Sequence, residues 1–335
     1  MLTKLKDFWG MLKRAFLSWM NNNPWGQSGT VAYYAIFSLP SLLIIIVWIA
    51  GNFFGQEAVQ GQLTKQIEKL IGSNSANTIE EIITKAALND NSTWNIIIGI
   101  SLLLFGATGV FYHLKLTMND IWNVKAKKDT FLRMVINRLV SFGMVLVFGF
   151  LMLISMVISA VLAAFGDYLS SLAPGFTLLM LQIMSFTISF IITTIIFAAI
   201  FKLLPDVQLK WRTTFFGAVL TTILFLIGEF LLGYYFGKTN PGSVYGGAST
   251  IILILLWVYY TCLILFYGVE FTVQYALYTN ERIVPNEYAE PAIYQELEKI
   301  REKSKKNLDK KRIMRILRAE GEIANKELKK DEAEE

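Results

Sequence analysis

Two acids in apolar surroundings are the residues best placed to do chemistry in this chain: Glu229, within "FLIGEFLLGYYFGKTNPGSVYGG" at 225–247, and Glu270, within "LFYGVEF" at 265–271. A carboxylate at the centre of a bilayer costs about 3 kcal/mol on insertion scales, so its retention points to a proton or substrate pathway, or to an ion pair that offsets the cost. Counted from Thr213, Glu229 stands about 24 Å along its helix, in the outer third, whereas Glu270 belongs to a helix running the other way and falls near its inner end. The two therefore lie at different depths and cannot form a catalytic pair. Depth groups Glu270 with His113, Lys115, Tyr33 and Tyr34, which could answer it structurally or serve a pathway with it. Glu229 has Tyr234 and Tyr235 nearby in sequence and Lys238 as its nearest cation. Pro40, in another apolar run, removes a backbone hydrogen bond and predicts a kink whose freed carbonyls could line a cavity. Tyr245 sits in the glycine-rich turn, where Tyr245-Gly246-Gly247 differs in order from a potassium filter. Pathway candidates are thus Glu229, Glu270, Tyr33, Tyr34, His113, Lys115, Pro40 and Tyr245. With one histidine and one cysteine, Cys262, the chain offers no histidine- or cysteine-based metal site and no internal disulfide. No catalytic, cofactor-binding or metal-binding residue is assigned, and the chain is not expected to be an enzyme.

The elements that must position these groups are apolar helices. Of the 335 residues 54% are hydrophobic and 17% charged, which excludes an ordinary soluble domain. Runs of about 20 apolar residues suffice to cross a bilayer, and six spans are expected at about 30–53, 94–113, 134–165, 175–203, 213–236 and 248–276. Lys115, Lys125, Lys127, Lys128 and Arg133 follow the second span, and Lys202, Lys210 and Arg212 follow the fourth. Lysine and arginine in short loops mark the cytoplasmic side, so both termini are expected there. The fold class is all-α: a polytopic membrane protein with six transmembrane helices.

Three further regions frame the bundle. Residues 1–28 read as an amphipathic interfacial helix: Leu5, Phe8, Trp9, Leu12, Phe16 and Trp19 recur on one face and Lys4, Lys6, Lys13 and Arg14 lie mostly on the other. Such a face suits a membrane surface or the protein's own loops. Within the transmembrane domain, 29–280, an external insertion at about 54–93 carries two short amphipathic helices, as a lid or a packed cap. Residues 281–335 form a charged cytoplasmic tail, basic over Lys299–Arg318 and acidic over Asp331–Glu335. The expected partners are membrane lipids, with anionic headgroups near the N-terminal helix and the basic tail. No nucleic acid is expected, and small-residue faces such as Gly106 with Gly109 and Gly228 with Gly233 permit close helix contacts and a homo-oligomer.

Four stretches resemble one family. "VAYYAIFSLPSLLIIIV" (31–47), "GATGVFYHLKLTMNDIWNV" (106–124), "LPDVQLKWRTTFFGAVL" (204–220) and "VYGGASTIILILLWVYYTCLILFYGVEF" (244–271) are similar, in this order, to signatures of the YihY/BrkB family of bacterial inner-membrane proteins. Where that family usually has Gly-Ala-Glu, this chain has Gly268, Val269 and Glu270, which keeps the acid. The resemblance covers about 30–280 and implies a six-helix bundle in the cytoplasmic membrane. It also implies transport, of a lipid-like or amphipathic substrate. Members were once labelled ribonuclease BN, a label the single histidine and the missing cytosolic cluster of acids speak against. The other reading is a non-transporting scaffold that binds partners or anionic lipid through its tail.

Overall fold

The structure, a computed structural model, describes residues 2–71, 76–77, 79–80, 93–127, 174–239, 249–287, 289–295 and 297. Among the described residues seven helices and four short strands follow in order: α1 Leu2–Asn21, α2 Pro24–Phe54, α3 Gln56–Ile71, α4 Thr93–Ile121, β1 Val124–Ala126, α5 Pro174–Leu203, β2 Val207–Gln208, α6 Trp211–Thr239, α7 Ser249–Tyr278, β3 Val284–Pro285 and β4 Ala289–Pro291. Among the described residues three stretches are long and apolar enough to cross a membrane: Phe186–Leu203, Trp211–Tyr235 and Thr250–Tyr278. They coincide with the fourth, fifth and sixth spans read from the sequence. The first and second fall on α2 and α4, of 31 and 29 residues. The third, 134–165, lies outside the described residues, as do Lys299–Arg318 and Asp331–Glu335 of the tail. Of the insertion expected at about 54–93, α3 is helical, and so are residues 76–77 and 79–80.

The chain reverses at one end of the bundle through asparagines in the left-handed region. Asn23 (φ 49°), Asn123 (φ 54°) and Asn280 (φ 52°) each follow a helix. Asparagine accepts this conformation at less cost than other residues with a Cβ because its short amide bonds locally. Asn23 also caps α2, its side chain accepting from Gly26 N at 3.3 Å while Pro24 opens the helix, where a missing N–H costs nothing. After α7, Glu281 N reaches Ala276 O at 2.9 Å and Asn280 N reaches Leu277 O at 3.1 Å, closing the helix. These turns share the end that carries Lys115, Lys125, Lys202 and Lys210, called the basic end below.

The last helix organises the rest: α7 touches α1, α2, α3, α4 and α6. Its pairing with α6 is antiparallel and reciprocal. Thr221 and Thr272 each donate to the glycine carbonyl four residues earlier, Gly217 O and Gly268 O, both at 2.7 Å. Each of those glycines lies against the threonine of the opposite helix, Gly268 on Thr221 and Gly217 on Thr272, and higher up Gly228 meets Tyr260. A second close approach joins α2 to α4, where a Cβ on Gly106 would stand 2.7 Å from Ser38 N. Small residues let backbones approach and gain dispersion contact where lipid supplies no hydrophobic drive between helices. The helix assignment of α2 continues through Pro40. A core of Val31, Met118, Phe201, Phe266, Val269 and Ala276 fills the basic half of the bundle.

Beyond α7 the chain folds back over that end. β3 pairs with β2 antiparallel, Val207 opposite Pro285, and β4 pairs with β1, Val124 opposite Pro291. Ala292 N bonds Asn123 O at 2.9 Å, Gln295 Nε2 bonds Ala126 O at 2.7 Å, and Lys127 Nζ bonds Glu287 O at 3.0 Å. Residues 281–297 are thus a strap that clasps the segments following α4 and α5.

Candidate functional site

Glu270 sits on α7 with 1% of its surface exposed. Its carboxylate accepts hydrogen bonds from Asn22 Nδ2 and from the Ser18 side chain. Both donors are neutral and both come from the segment of α1 and the turn that follows it. They reach the acid because α1 lays one face on α7: Met11 and Ala15 are buried with Phe271, and Phe8 meets the Phe271 ring edge-on at 5.8 Å. Residues 8, 11, 15, 18 and 22 follow the three–four spacing of one helical face. Tyr267 OH donates to Leu12 O at 3.2 Å, and Arg14 Nε donates to Gln274 Oε1 at 3.2 Å. The N-terminal helix therefore packs on α7 and closes over the acid.

Lys115, grouped with Glu270 by depth, bonds a different acid: its Nζ lies 2.9 Å from Asp206 Oδ1. Asn119, one turn further along α4, donates from Nδ2 to Asp206 Oδ2 at 2.9 Å and accepts from Asp206 N at 2.7 Å through Oδ1. The strap adds Asn286 N to Asp206 O at 2.9 Å. Asp206 and Asn119 are buried, at 7% and 5%. A buried carboxylate needs such donors; here both come from α4, as Lys115 and Asn119, while the strap answers the main-chain carbonyl of Asp206. The sequence reading missed Asp206 and Asn119. The available signal was the four-residue spacing of Lys115 and Asn119, which puts both on one side of α4.

His113 is half-buried and its ring stacks on Tyr34 at 5.1 Å, with 22° between planes. Gly109, one turn before His113, makes room, since a Cβ there would fall within the Tyr34 ring. Tyr33 is 55% exposed, with its ring 5.3 Å from Phe37. Glu229 is half-buried on α6, next to the contact of Gly228 with Tyr260. In the antiparallel register Tyr260 is ten residues from Glu270, so the acids are separated by about 15 Å along the bundle. Pro40 lies within α2, its side chain outside the described placements, and Tyr245 lies outside the described residues. The structure thus joins Tyr34 with His113, and Lys115 with Asp206, and gives Glu270 to α1. Among the described residues no three His, Cys, Asp or Glu side chains gather as a metal-binding group.

At the mouth of α6, Glu281 of the strap accepts from Lys210 N at 2.7 Å and from Thr213 Oγ1. A carboxylate here satisfies one amide and one hydroxyl and opposes the positive end of the helix dipole.

The four stretches with a family resemblance are therefore neighbours in space. Tyr34 and Ser38 of the first meet Gly109 and Gly106 of the second, Lys115 and Asn119 of the second hold Asp206 of the third, and Thr221, directly after the third, meets Gly268 of the fourth. Comparison with known proteins agrees. A UPF0761 membrane protein of Psychromonas ingrahamii is 27% identical over 73% of this chain and 80% of the relative. Another, from Alteromonas mediterranea, is 25% identical over 80% and 87%. The ribonuclease-like protein YfkH of Bacillus subtilis is 24% identical over 82% and 98%. No solved structure matches the chain. The family described as virulence factor BrkB matches residues 20–292, and the chain is a membrane protein belonging to this YihY/BrkB family.

Proposed function

We propose that the protein is a membrane transport protein of the bacterial cytoplasmic membrane, a flippase or transporter of a lipid-like or amphipathic substrate, with six spans and both termini cytoplasmic. The observation that carries this reading is Glu270, a carboxyl group 1% exposed within a membrane-crossing helix and bonded to two neutral side chains. Acids kept in spanning helices usually serve an ion or substrate pathway. Here a change in the acid alters what holds α1, which links a proton or a polar substrate to the seating of a helix. Glu229 supplies a second acid at another depth.

The test is lipid exchange in liposomes containing the purified full-length protein and a headgroup-labelled fluorescent lipid. A membrane-impermeant reductant should bleach more than the outer-leaflet share, and Glu270→Gln and Glu229→Gln should slow the excess. Bleaching equal to protein-free liposomes would remove lipid as the substrate.

A second reading, a non-transporting scaffold that binds partners or anionic lipid through its tail, draws support from the strap, which anchors the segment before the tail to the basic end. On that reading, deletion of 298–335 abolishes the cellular role while no flux is measured at all. The ribonuclease-like name of the Bacillus subtilis relative is not carried over, because the chain's one histidine is stacked on Tyr34.

A further inference from the structure

The seating of α1 leaves a second apolar face uncovered. Trp9 is 72% exposed, Phe16 49% and Met20 43%, and their spacing of seven and four residues places them in one row. At 100° per residue that row lies roughly 130° around the helix from the face that grips Phe271 and Glu270, with Lys13 and Lys6 next along the circumference. Lys6 and Lys13 are exposed. Asp7, the one acid of α1, accepts from Tyr278 OH at 3.4 Å on the gripping side. The free side of α1 is thus an aromatic and apolar row edged by lysine, with no acid.

The contacts also fix how α1 crosses α7. From the Asp7–Tyr278 bond to the Asn22–Glu270 bond the chain advances fifteen residues, about 22 Å along the α1 direction, but only eight residues, about 12 Å, along α7. Between those two bonds Leu12 reaches Tyr267, Arg14 reaches back to Gln274, and Ser18 and Asn22 share Glu270. The contacts of α1 thus gather on one stretch of α7 instead of advancing along it, so α1 crosses α7 and, with α7 crossing the bilayer, is inclined to the membrane normal. The level is marked independently. Trp211 is six residues before Gly217 and Tyr278 six after Thr272, so the α6–α7 register puts them at one height. Trp211 is 63% exposed and Tyr278 48%. Lys202 Nζ lies 5.7 Å from the Trp211 ring centroid. Exposed tryptophan and tyrosine beside lysine are what a helical bundle presents at the boundary between acyl chains and headgroups.

We infer that α1 is an in-plane helix whose Trp9, Phe16 and Met20 enter the acyl-chain boundary of the leaflet at the basic end, while Lys6 and Lys13 contact phosphates of anionic phospholipid. The occupant is a lipid surface, since the row continues the level set by Trp211 and Tyr278 and its lysines complement anionic headgroups. This holds whether the bundle transports or not.

The test uses full-length protein in liposomes, with a bimane fluorophore attached at Trp9→Cys, Phe16→Cys, Met20→Cys or Lys13→Cys, Cys262 being buried. Phosphatidylcholine and phosphatidylglycerol brominated high in their acyl chains are the quenchers. Labels at 9, 16 and 20 should be quenched strongly and the label at 13 weakly. Brominated phosphatidylglycerol should outperform brominated phosphatidylcholine, a preference that falls by about fivefold for each lysine removed in Lys6→Gln and Lys13→Gln. Absence of quenching at 9, 16 and 20 would show the row covered by another part of the chain or a second copy and would overturn the proposal. Strong quenching with no preference between the two lipids would overturn the headgroup contact.

Discussion

Gly268→Ala should destabilise the α6–α7 pair, although alanine is the better helix former. The added Cβ would stand 3.0 Å from Thr221 Cβ and 3.1 Å from Phe201 Cζ, and closer still to Thr221 Oγ1. Carbon atoms in good contact sit about 3.5–4.0 Å apart, so the helices must separate by on the order of 0.5–1 Å or Thr221 must leave its bond to Gly217 O. Overpacking of this kind costs about 1–3 kcal/mol, against which the helix propensity of alanine returns about 1 kcal/mol. The expected net loss is about 1 kcal/mol for Gly268→Ala, and similarly for Gly217→Ala, which meets Thr272 in the same way. A Cβ on Gly61 of α3 would meet nothing within 4 Å among the described residues. Gly61→Ala should therefore show the propensity gain alone, about 1 kcal/mol. Denaturation in mixed micelles followed by circular dichroism measures all three. Thr221→Ala removes the obstructing hydroxyl, so the double variant Gly268→Ala/Thr221→Ala should lose less than the sum of the single losses, by about 1 kcal/mol. Strict additivity, or a Gly268→Ala as stabilising as Gly61→Ala, would refute close approach as the reason for these glycines.

Other substitutions probe the polar contacts. Asp206→Ala should cost about 2 kcal/mol, less than the 3–5 kcal/mol of a sealed pair, because the Lys115 side chain is 24% exposed and can regain water; adding Lys115→Met should recover part of the loss in the same denaturation assay. Glu270→Gln keeps an oxygen for Asn22 but replaces the other acceptor with an amide nitrogen, and should speed amide exchange over residues 2–21 modestly. Glu270→Leu strands the Asn22 and Ser18 donors, at about 1–3 kcal/mol, and should speed that exchange. Glu281→Ala removes the acceptor at the mouth of α6 and should cost about 1 kcal/mol, read as faster exchange of the amides at 211–214, with Glu281→Gln intermediate.

The fifth and sixth spans were legible because length and apolarity are local properties: the reading of 213–236 lies inside Trp211–Thr239, and 248–276 nearly matches Ser249–Tyr278. The first span was read to start at residue 30, short of Pro24, because the polar first turns after Asn23 hide a helix whose start is signalled by capping and proline alone. Depth reasoning separated Glu229 from Glu270 by the same linear arithmetic that the α6–α7 register supports. It could not say which way around a helix a side chain points, which is why Lys115 was grouped with Glu270 when its bond runs to Asp206. That bond joins residues 91 positions apart through β2 and β3, strands of two residues each, too short to leave a period-two pattern. Likewise, the periodicity of α1 disclosed an amphipathic helix, but only the structure divides its surface into a row that grips α7 and a row left exposed.

The strap also bears on how the protein is made. Its residues, 281–297, leave the ribosome after every helix described above, yet they supply partners to Asn123, Ala126 and Asp206, which are made much earlier. Until the strap arrives, those carbonyls and the Lys210 amide lack these partners, and the basic end is unclasped. Closure of the bundle is thus a late event in biosynthesis, and a nascent chain stopped at Asn280 would carry all its described helices without the clasp that joins them.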